Sequence, residues 1–272
     1  MMTRMTALIC GCCGLWLSAV LADPPPVKTD AETPAKAEAK TKADASAKAA
    51  DPYKTPRERM VQRHLIERGI KDKRVLDAFR ETPRHRLLDP KSWPLAYEDF
   101  AIPIGEGQTI SSPFIVAFMT EALQPKPTDK IYEVGTGSGF QAAILSRLVK
   151  SVYSVEIHRP LGEKAAKLLK EIGCDNVHVR VGDGYEGWPD AAPFDAIIVT
   201  CSPMSVPPPL IAQLKEGGRM VIPLGDRYNQ SVYIMTKVNG KLEGKAVHPT
   251  LFLPMTGKSQ AESAKKKSDV KP

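Results

Sequence analysis

Four apolar segments of strand length recur in the middle of the chain, and each gives way to a turn. They cover residues 131–134, 151–155, 177–181 and 194–200. The last segment is apolar almost throughout, which is typical of a parallel strand buried on both faces of a sheet. Stretches of helical length lie between the strands, as from Phe140 to Val149. Strands that alternate with helices predict an α/β fold with a doubly wound, mostly parallel sheet.

Helical patterns also precede the first strand. Thr55-Pro56-Arg57-Glu58 resembles a helix start, with a threonine N-cap and proline at the first helical position. Two further helices are expected, from Lys73 to Glu81 and from Pro113 to Leu123. The segment from Tyr97 to Pro113 reads as a long loop, and long loops in compact domains tend to carry function. The sequence therefore predicts a helical N-terminal segment ahead of the sheet.

Glycine occupies alternate positions directly after the first strand, at Gly135, Gly137 and Gly139. Glycine permits positive φ and lets a ligand approach the backbone closely, and the following helix start directs backbone N–H groups outward. A dinucleotide fingerprint needs a further glycine where this chain has Phe140. The departure disfavours a nicotinamide or flavin dinucleotide and favours a smaller adenosine ligand with an amino-acid tail, S-adenosyl-L-methionine. An ordinary tight turn is the alternative reading of the glycines alone.

Acidic residues stand at the carboxyl ends of the first three strands, at Glu133, Glu156 and Asp183. Glu156 lies 23 positions after Glu133, close to the spacing at which a carboxylate binds both hydroxyls of a ribose. Open α/β sheets bind their ligands at this edge. Each acid alone has helix capping or solvent exposure as its alternative role. The three together predict a ligand site.

The first 22 residues resemble a secretory signal peptide. Arg4 precedes an apolar run from Ala7 to Val20, and Ala22 ends a small-residue cleavage site. The run is short for a membrane-spanning helix, so cleavage is favoured over a retained anchor. We expect an exported, periplasmic protein with no stable membrane insertion after cleavage. An uncleaved leader that anchors the chain in the membrane is the alternative.

Composition divides the remainder of the chain into three parts. Residues 23–52 are rich in Pro, Ala, Lys and Glu and predict a disordered linker. Residues 53–257 form the candidate domain. Residues 258–272 carry five lysines against Glu262 and Asp269, a net of +3 within the formal +7 of the chain, and predict a disordered basic tail. No basic-aromatic pattern indicates a nucleic-acid partner, and we expect a monomer.

The cysteines predict neither a disulfide nor a metal site. Three of the five lie in the predicted signal peptide. The other two, Cys174 and Cys201, are expected at opposite ends of the sheet, too far apart for a disulfide. No group of residues has the spacing of metal ligands.

Several blocks resemble the protein-L-isoaspartate O-methyltransferase family, which methylates age-damaged aspartyl residues. The most specific is Gln108-Thr109-Ile110-Ser111, because the glycine turn is common to related methyltransferases. The other matching blocks are residues 57–61, 102–105, 133–139, 182–185, 192–197, 217–223 and 247–257. The resemblance covers residues 53–257 and implies a Rossmann-like methyltransferase sheet, S-adenosyl-L-methionine as cofactor, and isoaspartyl proteins and peptides as substrates. Typical members imply a cytoplasmic location, which stays open beside the exported one.

The resemblance also implies roles for individual residues. Ser111 matches the active-site serine, although its position also suits a helix N-cap. The remaining cofactor-binding candidates are Ile110 and Ser112 in the covering loop, Glu133 in the block that leads into the glycine turn, Gly135, Gly137 and Gly139 behind the methionine moiety, Glu156 at the ribose, Asp183 and Gly184 at the adenine, and, by a looser match, Gln230. Relatives usually carry two small apolar residues before proline where this chain has Cys201-Ser202-Pro203. That difference leaves the peptide preference open.

The implied chemistry needs few catalytic groups. A carboxylate is already ionised at neutral pH, so a carboxyl O-methyltransferase requires no general base. Proximity and orientation then supply most of the catalysis, up to about 7–11 kcal/mol. We predict an enzyme that repairs isoaspartyl residues in envelope proteins. The alternatives are a methyltransferase for another carboxylate, and a non-catalytic exported binding protein of the same fold, since S-adenosyl-L-methionine is made in the cytoplasm.

Overall fold

The computed structural model describes residues 51–269, and for residues 266–269 only the backbone. The predicted signal peptide and nearly all of the predicted linker lie outside these residues. The strands are β1 Ile102–Gly105, β2 Gln108–Ile110, β3 Lys130–Val134, β4 Ser151–Glu156, β5 Val177–Val181, β6 Phe194–Val199, β7 Leu214–Gly225, β8 Gln230–Val238 and β9 Lys241–Thr250. The helices are α1 Lys54–Met60, α2 Lys73–Glu81, α3 Pro113–Leu123, α4 Phe140–Ser146, α5 Arg159–Glu171, α6 Pro208–Gln213 and α7 Lys258–Asp269.

Seven strands form one twisted sheet in the order β5-β4-β3-β6-β7-β8-β9. The strands from β3 to β7 pair in parallel, and β8 and β9 are added antiparallel at one edge. Neighbouring residues of β3 enter different buried clusters. Ile131 packs with Ile144 of α4 and Phe79 of α2, whereas Tyr132 packs with Leu210 of α6. Both faces are therefore covered, and the predicted mostly parallel, doubly wound sheet is confirmed.

The helical N-terminal segment differs from its prediction at its start and in the long loop. Helix α1 begins at Lys54 with Tyr53 in the N-cap position, so Thr55 lies inside the first turn and caps nothing. The helix continues as a π-helical stretch, Val61–Ile66. Helices α2 and α3 have the predicted bounds. The predicted loop contains the β1–β2 hairpin, whose two short strands pair antiparallel.

The predicted disordered tail is wrong for the residues that the structure describes, because helix α7 occupies Lys258–Asp269. The backbone N–H of Lys258 donates to Asp183 Oδ2 at 2.8 Å, and the Tyr185 hydroxyl donates to Glu262 Oε2 at 2.6 Å. Ser259 is buried against the domain. Composition predicts how a segment behaves alone, and these tertiary contacts override it.

Between residues 51 and 269, the helices are all too short or too polar to cross a membrane. Within the same range, no three His, Cys, Asp or Glu side chains are grouped in a way that would hold a metal ion. Cys174 and Cys201 are both free thiols.

Candidate active site

A cleft with a volume of about 870 Å³ opens at the carboxyl edge of the parallel strands. Its base is formed by the turn after β3 and by the ends of β4 and β6. One wall is the β2 strand with the start of α3, and the other is the extended segment from Thr250 to Thr256. Eight of the predicted site residues line this cleft, namely Ile110, Ser111, Ser112, Gly135, Gly137, Glu156, Asp183 and Gly184.

The turn after β3 is fixed by a residue from the neighbouring strand. Gly135 and Gly137 have φ of +92° and +53°, the region that glycine tolerates best. The Thr200 hydroxyl, just after β6, lies 2.8 Å from the carbonyl oxygen of Val134 and 2.7 Å from that of Gly135, and donates to this pair. A Cβ at Gly135 would stand 2.5 Å from Thr200 Oγ1. The close approach therefore requires glycine at this position.

Gly139 does not face the cleft. It has φ +85° and occupies the N-cap position of α4. A Cβ there would meet the Leu169 side chain of α5 at 3.0 Å. The third glycine is thus explained by helix-to-helix packing, and not by contact with a ligand.

Glu156 is held ready for a ligand by two backbone donors. Its Oε2 accepts from the Gly137 N–H at 2.7 Å, and its Oε1 accepts from the His158 N–H at 2.9 Å. The residue is 4% exposed and lines the cleft. Each carboxylate oxygen keeps a further lone pair. This fixed carboxylate is suited to accept hydrogen bonds from a diol.

Asp183 lies at the end of the cleft that the C-terminal segment covers. Its Oδ1 accepts from the Tyr185 N–H at 2.9 Å, and its Oδ2 accepts from the Lys258 N–H at 2.8 Å. Gly184 next to it leaves no room for a side chain, because a Cβ would stand 2.5 Å from Val134 Cγ1. A flat ligand group could therefore approach the backbone at Gly184 beside the Asp183 carboxylate.

Glu133 lies beneath the turn and does not line the cleft. It is fully buried, and neither carboxyl oxygen has a hydrogen-bond partner among residues 51–269. Burial raises its pKa to about 8, the nearby Ser154 hydroxyl opposes the rise, and the Glu156 charge adds to it. The Ser154 hydroxyl itself is bonded to Thr136 Oγ1 at 2.6 Å. Glu133 is therefore a protonated, buried acid at neutral pH.

Gln230 is also placed away from the cleft. Its amide nitrogen donates to the Phe252 carbonyl oxygen at 3.1 Å, and its amide oxygen accepts from the Phe252 N–H at 2.6 Å. Phe252 belongs to the segment that forms the cleft wall. Gln230 thus holds the wall in place, and its amide is already paired.

Ser111 lies half-buried in the cleft wall with its hydroxyl unpaired within the described part of the chain. The N-cap position of α3 belongs to Ser112, which makes no side-chain cap. The capping carboxylate comes from Asp99, whose Oδ1 accepts from the Phe114 N–H at 2.8 Å. The alternative reading of Ser111 as a helix cap is therefore not supported, and the residue lines the cleft.

Sequence reasoning missed several residues of the cleft. Arg68 is paired with Asp99, and its guanidinium lies 3.4 Å from the centre of the Phe114 ring. Arg227 and His248 add two more basic or titratable side chains at the cleft. Thr200 follows a strand end, so the rule that selected the acids would also have selected it. The other residues carry no local signal and are brought together only by the fold.

Cys201 lines the same cleft. Burial raises the pKa of its thiol to about 12, and the charges of Glu156 and Asp183 add to this rise. The thiol is therefore protonated at neutral pH and is a weak nucleophile. The Cys201-Ser202-Pro203 departure therefore begins at the wall of the cleft.

Comparison with known proteins identifies the family. A family model described as "Protein-L-isoaspartate(D-aspartate) O-methyltransferase (PCMT)" matches residues 56–260. Protein-L-isoaspartate O-methyltransferase of Opitutus terrae is 51% identical over 201 residues, 74% of this chain and 86% of the relative. Protein-L-isoaspartate O-methyltransferase 2 of Shewanella sediminis is 48% identical over 218 residues, 80% of this chain and 89% of the relative.

Solved structures agree with the sequence comparison. A protein-L-isoaspartate O-methyltransferase structure superimposes with a TM-score of 0.71 at 30% identity, covering 79% of this chain and 71% of the other. A putative one from Plasmodium falciparum, in complex with S-adenosyl-L-homocysteine, has a TM-score of 0.65 at 23% identity, covers 74% of this chain and 98% of the other, and supports the fold. The chain belongs to the protein-L-isoaspartate(D-aspartate) O-methyltransferase family.

Proposed function

We propose that this chain repairs isoaspartyl residues in exported proteins, with Ser111 at its catalytic centre. The enzyme is an S-adenosyl-L-methionine-dependent carboxyl O-methyltransferase that acts on isoaspartyl residues of damaged proteins, the activity for which its relatives are named. The role of Ser111 is carried by one observation. Its hydroxyl lies in the cleft without a protein partner, while Asp99 caps the adjacent helix.

The hydrogen-bond acceptors and the shape of the cleft suit the cofactor. We assign Glu156 to the ribose hydroxyls, because two backbone N–H groups already orient its carboxylate. Gly135 and Gly137 form a cradle that a side chain at Gly135 would fill. Asp183 and Gly184 present a carboxylate and bare backbone to the adenine end. When bound, S-adenosyl-L-methionine supplies an electrophilic methyl group on a positively charged sulfur.

The protein's own part in the reaction is to orient and to exclude water. The isoaspartyl carboxylate is ionised at neutral pH and needs no base. The Ser111 hydroxyl donates a hydrogen bond to this carboxylate, and the N-terminus of α3, an 11-residue helix, favours its negative charge. The apolar walls around the cleft, which include Phe114 and Met119, limit the water that competes for it.

Export is the second part of the proposal. It is supported by Arg4, the apolar run from Ala7 to Val20 and the small-residue site at Ala22. The substrates would then be envelope proteins, and the enzyme would need a supply of S-adenosyl-L-methionine outside the cytoplasm. Cell fractionation with N-terminal sequencing tests this directly. A periplasmic protein that begins at Asp23 supports export, and an intact Met1 in the cytoplasmic fraction refutes it.

The substitution Ser111→Ala tests the proposed catalytic role. We expect turnover of an isoaspartyl peptide to fall about a hundredfold, in the range found when one hydrogen-bond donor to the reacting group is removed. The dissociation constant for the cofactor and the unfolding temperature should stay close to those of the parent. Ser92→Ala, the same change at a half-buried site away from the cleft, is the control. A loss of stability or of cofactor affinity equal to the loss of turnover would instead assign Ser111 a structural role.

A further inference from the structure

Exposed apolar side chains are concentrated around the cleft and a second opening beside it. Of the large apolar side chains that are exposed between residues 51 and 269, only Leu95 lies elsewhere. The other six are Phe100, Ile157, Met204, Tyr228, Leu251 and Leu253. Clustered apolar exposure rimmed by polar residues is typical of an interaction surface.

The second opening is a shallow groove with a volume of about 900 Å³. Its apolar lining comes from Met204, Leu224, Tyr228, Tyr233 and Leu251, and none of the residues that line it carries a charge. Thr250 and Leu251 line both the groove and the cleft. The two openings therefore share a wall, and an extended chain that leaves the cleft across Leu251 enters the groove.

The groove is formed by a tightly built turn between β7 and β8. Asp226 Oδ1 accepts from the Tyr228 N–H at 2.7 Å and from the Asn229 N–H at 2.8 Å. Gly225, with φ +143°, has no space for a Cβ because the Asn229 backbone occupies it. This turn holds the Tyr228 side chain 79% exposed at the rim. An exposed aromatic ring on a fixed backbone contributes contact area at a low entropic cost.

The opposite side of the groove is tied to the cleft wall. The Ser202 N–H donates to the Leu253 carbonyl oxygen at 2.9 Å, and the Met255 N–H donates to the Ser202 carbonyl oxygen at 2.9 Å. Met204 follows this pairing and is 51% exposed. Methionine is flexible and adapts to different apolar partners. The groove thus has an aromatic side chain on a hydrogen-bonded turn at one side and a flexible methionine at the other.

We propose that this groove binds the residues that flank the isoaspartate in an extended polypeptide substrate, and that it selects uncharged, apolar or aromatic flanks. The inference rests on the proposed function, because a protein substrate has to leave the cleft on at least one side. Apolar flanks cover Tyr228, Met204 and Leu251, and the removal of this apolar surface from water stabilises the complex. An acidic flank would lose hydration in a groove that offers no opposite charge.

The test compares three isoaspartyl peptides that share one central residue. In the first peptide the isoaspartyl residue carries only blocked termini. In the second it has two apolar or aromatic residues on each side, and in the third it has two acidic residues on each side. For the parent enzyme we expect kcat/KM to be about tenfold higher for the apolar-flanked peptide than for the acidic one, the change that one interface anchor produces. In a Tyr228→Ala, Met204→Ala double variant this advantage should disappear, while kcat/KM for the short peptide and the affinity for the cofactor stay unchanged.

The control is Leu95→Ala, which removes the one exposed apolar side chain that lies away from both openings. It should keep the parent's preference. The inference is overturned if the parent shows no preference, if the double variant lowers activity on all three peptides equally, or if Leu95→Ala has the same effect. A concentration-dependent dimer that Tyr228→Ala dissolves would assign the groove to a second copy of the chain. If the parent enzyme methylates none of the three peptides, the proposed function is overturned, and the proposed role of the groove with it.

Discussion

Glu133→Gln removes a buried carboxyl group that stays protonated in the folded protein because it is buried. The carboxyl group has no hydrogen-bond partner among the described residues, and burial raises its pKa from 4.5 to about 8. In the unfolded chain the group ionises near its ordinary value, whereas the folded protein keeps it neutral. Protonation of Glu133 thus favours the folded state below the unfolded pKa. This advantage is lost as the pH rises towards the folded pKa.

The size of the effect follows from the two pKa values. Between 4.5 and about 8 the unfolded state binds fewer protons at this site, so the free energy of unfolding falls by about 1.4 kcal/mol per pH unit. From about pH 5 to about pH 7.5 the loss amounts to about 3 kcal/mol. Glutamine does not titrate, so its variant lacks this slope. A buried amide without a partner also costs free energy, but that cost is the same at every pH.

Urea unfolding of the cofactor-free protein at several pH values measures the difference. The variant's free energy of unfolding should gain about 3 kcal/mol relative to the parent between about pH 5 and about pH 7.5. Glu243→Gln, which removes an exposed carboxyl on β9, should leave the parent's pH dependence unchanged. If the parent and Glu133→Gln run parallel across this range, Glu133 is ionised in the folded protein, and the reasoning from its burial is refuted.

Two further changes test the cleft itself. Gly135→Ala should raise the cofactor's dissociation constant at least tenfold and lower the free energy of unfolding by about 1–3 kcal/mol. The reason is that the new Cβ would stand 2.5 Å from Thr200 Oγ1 at a φ of +92°. If calorimetry gives the parent's affinity, Gly135 does not form part of the cofactor site. Arg227→Glu should lower kcat/KM for isoaspartyl peptides several-fold by repelling the substrate carboxylate, with a smaller loss at high salt. A loss that is independent of ionic strength would point to an altered cleft shape and not to charge.

The centre of the sheet was predictable because β3 and β6 are mostly apolar and buried along almost their whole length. The run Phe194–Val199 does not have the spacing of an amphipathic helix, so it predicts a strand. Helix α2 ends at a Thr-Pro pair, and helix α3 begins at a proline. The start of α1 was not predictable from Thr55, because Tyr53 takes the N-cap position and the helix already begins at Lys54. Local signals fix an element, and its last residues depend on contacts that the local sequence does not contain.

The candidate site was predictable where chemistry and strand ends coincide. Glu156 and Asp183 follow strands and line the cleft. Glu133 follows the strand-end pattern, Gly139 belongs to the glycine turn, and Gln230 was a looser family match. The structure places all three away from the cleft, and only their surroundings reveal this. The cleft wall from Thr250 to Thr256 comes from a distant part of the chain. Helix α7 is held by contacts to Asp183, Tyr185 and Glu186 that composition does not encode.

The most direct test is transfer of a labelled methyl group from S-adenosyl-L-methionine to matched peptides by the purified chain from residue 23 onwards. One peptide contains a single isoaspartyl residue, and the other has the normal aspartyl residue at the same position. The account predicts a base-labile methyl ester on the isoaspartyl peptide and none above background on its partner. Equal labelling of both peptides, or cofactor binding without any transfer, would contradict it.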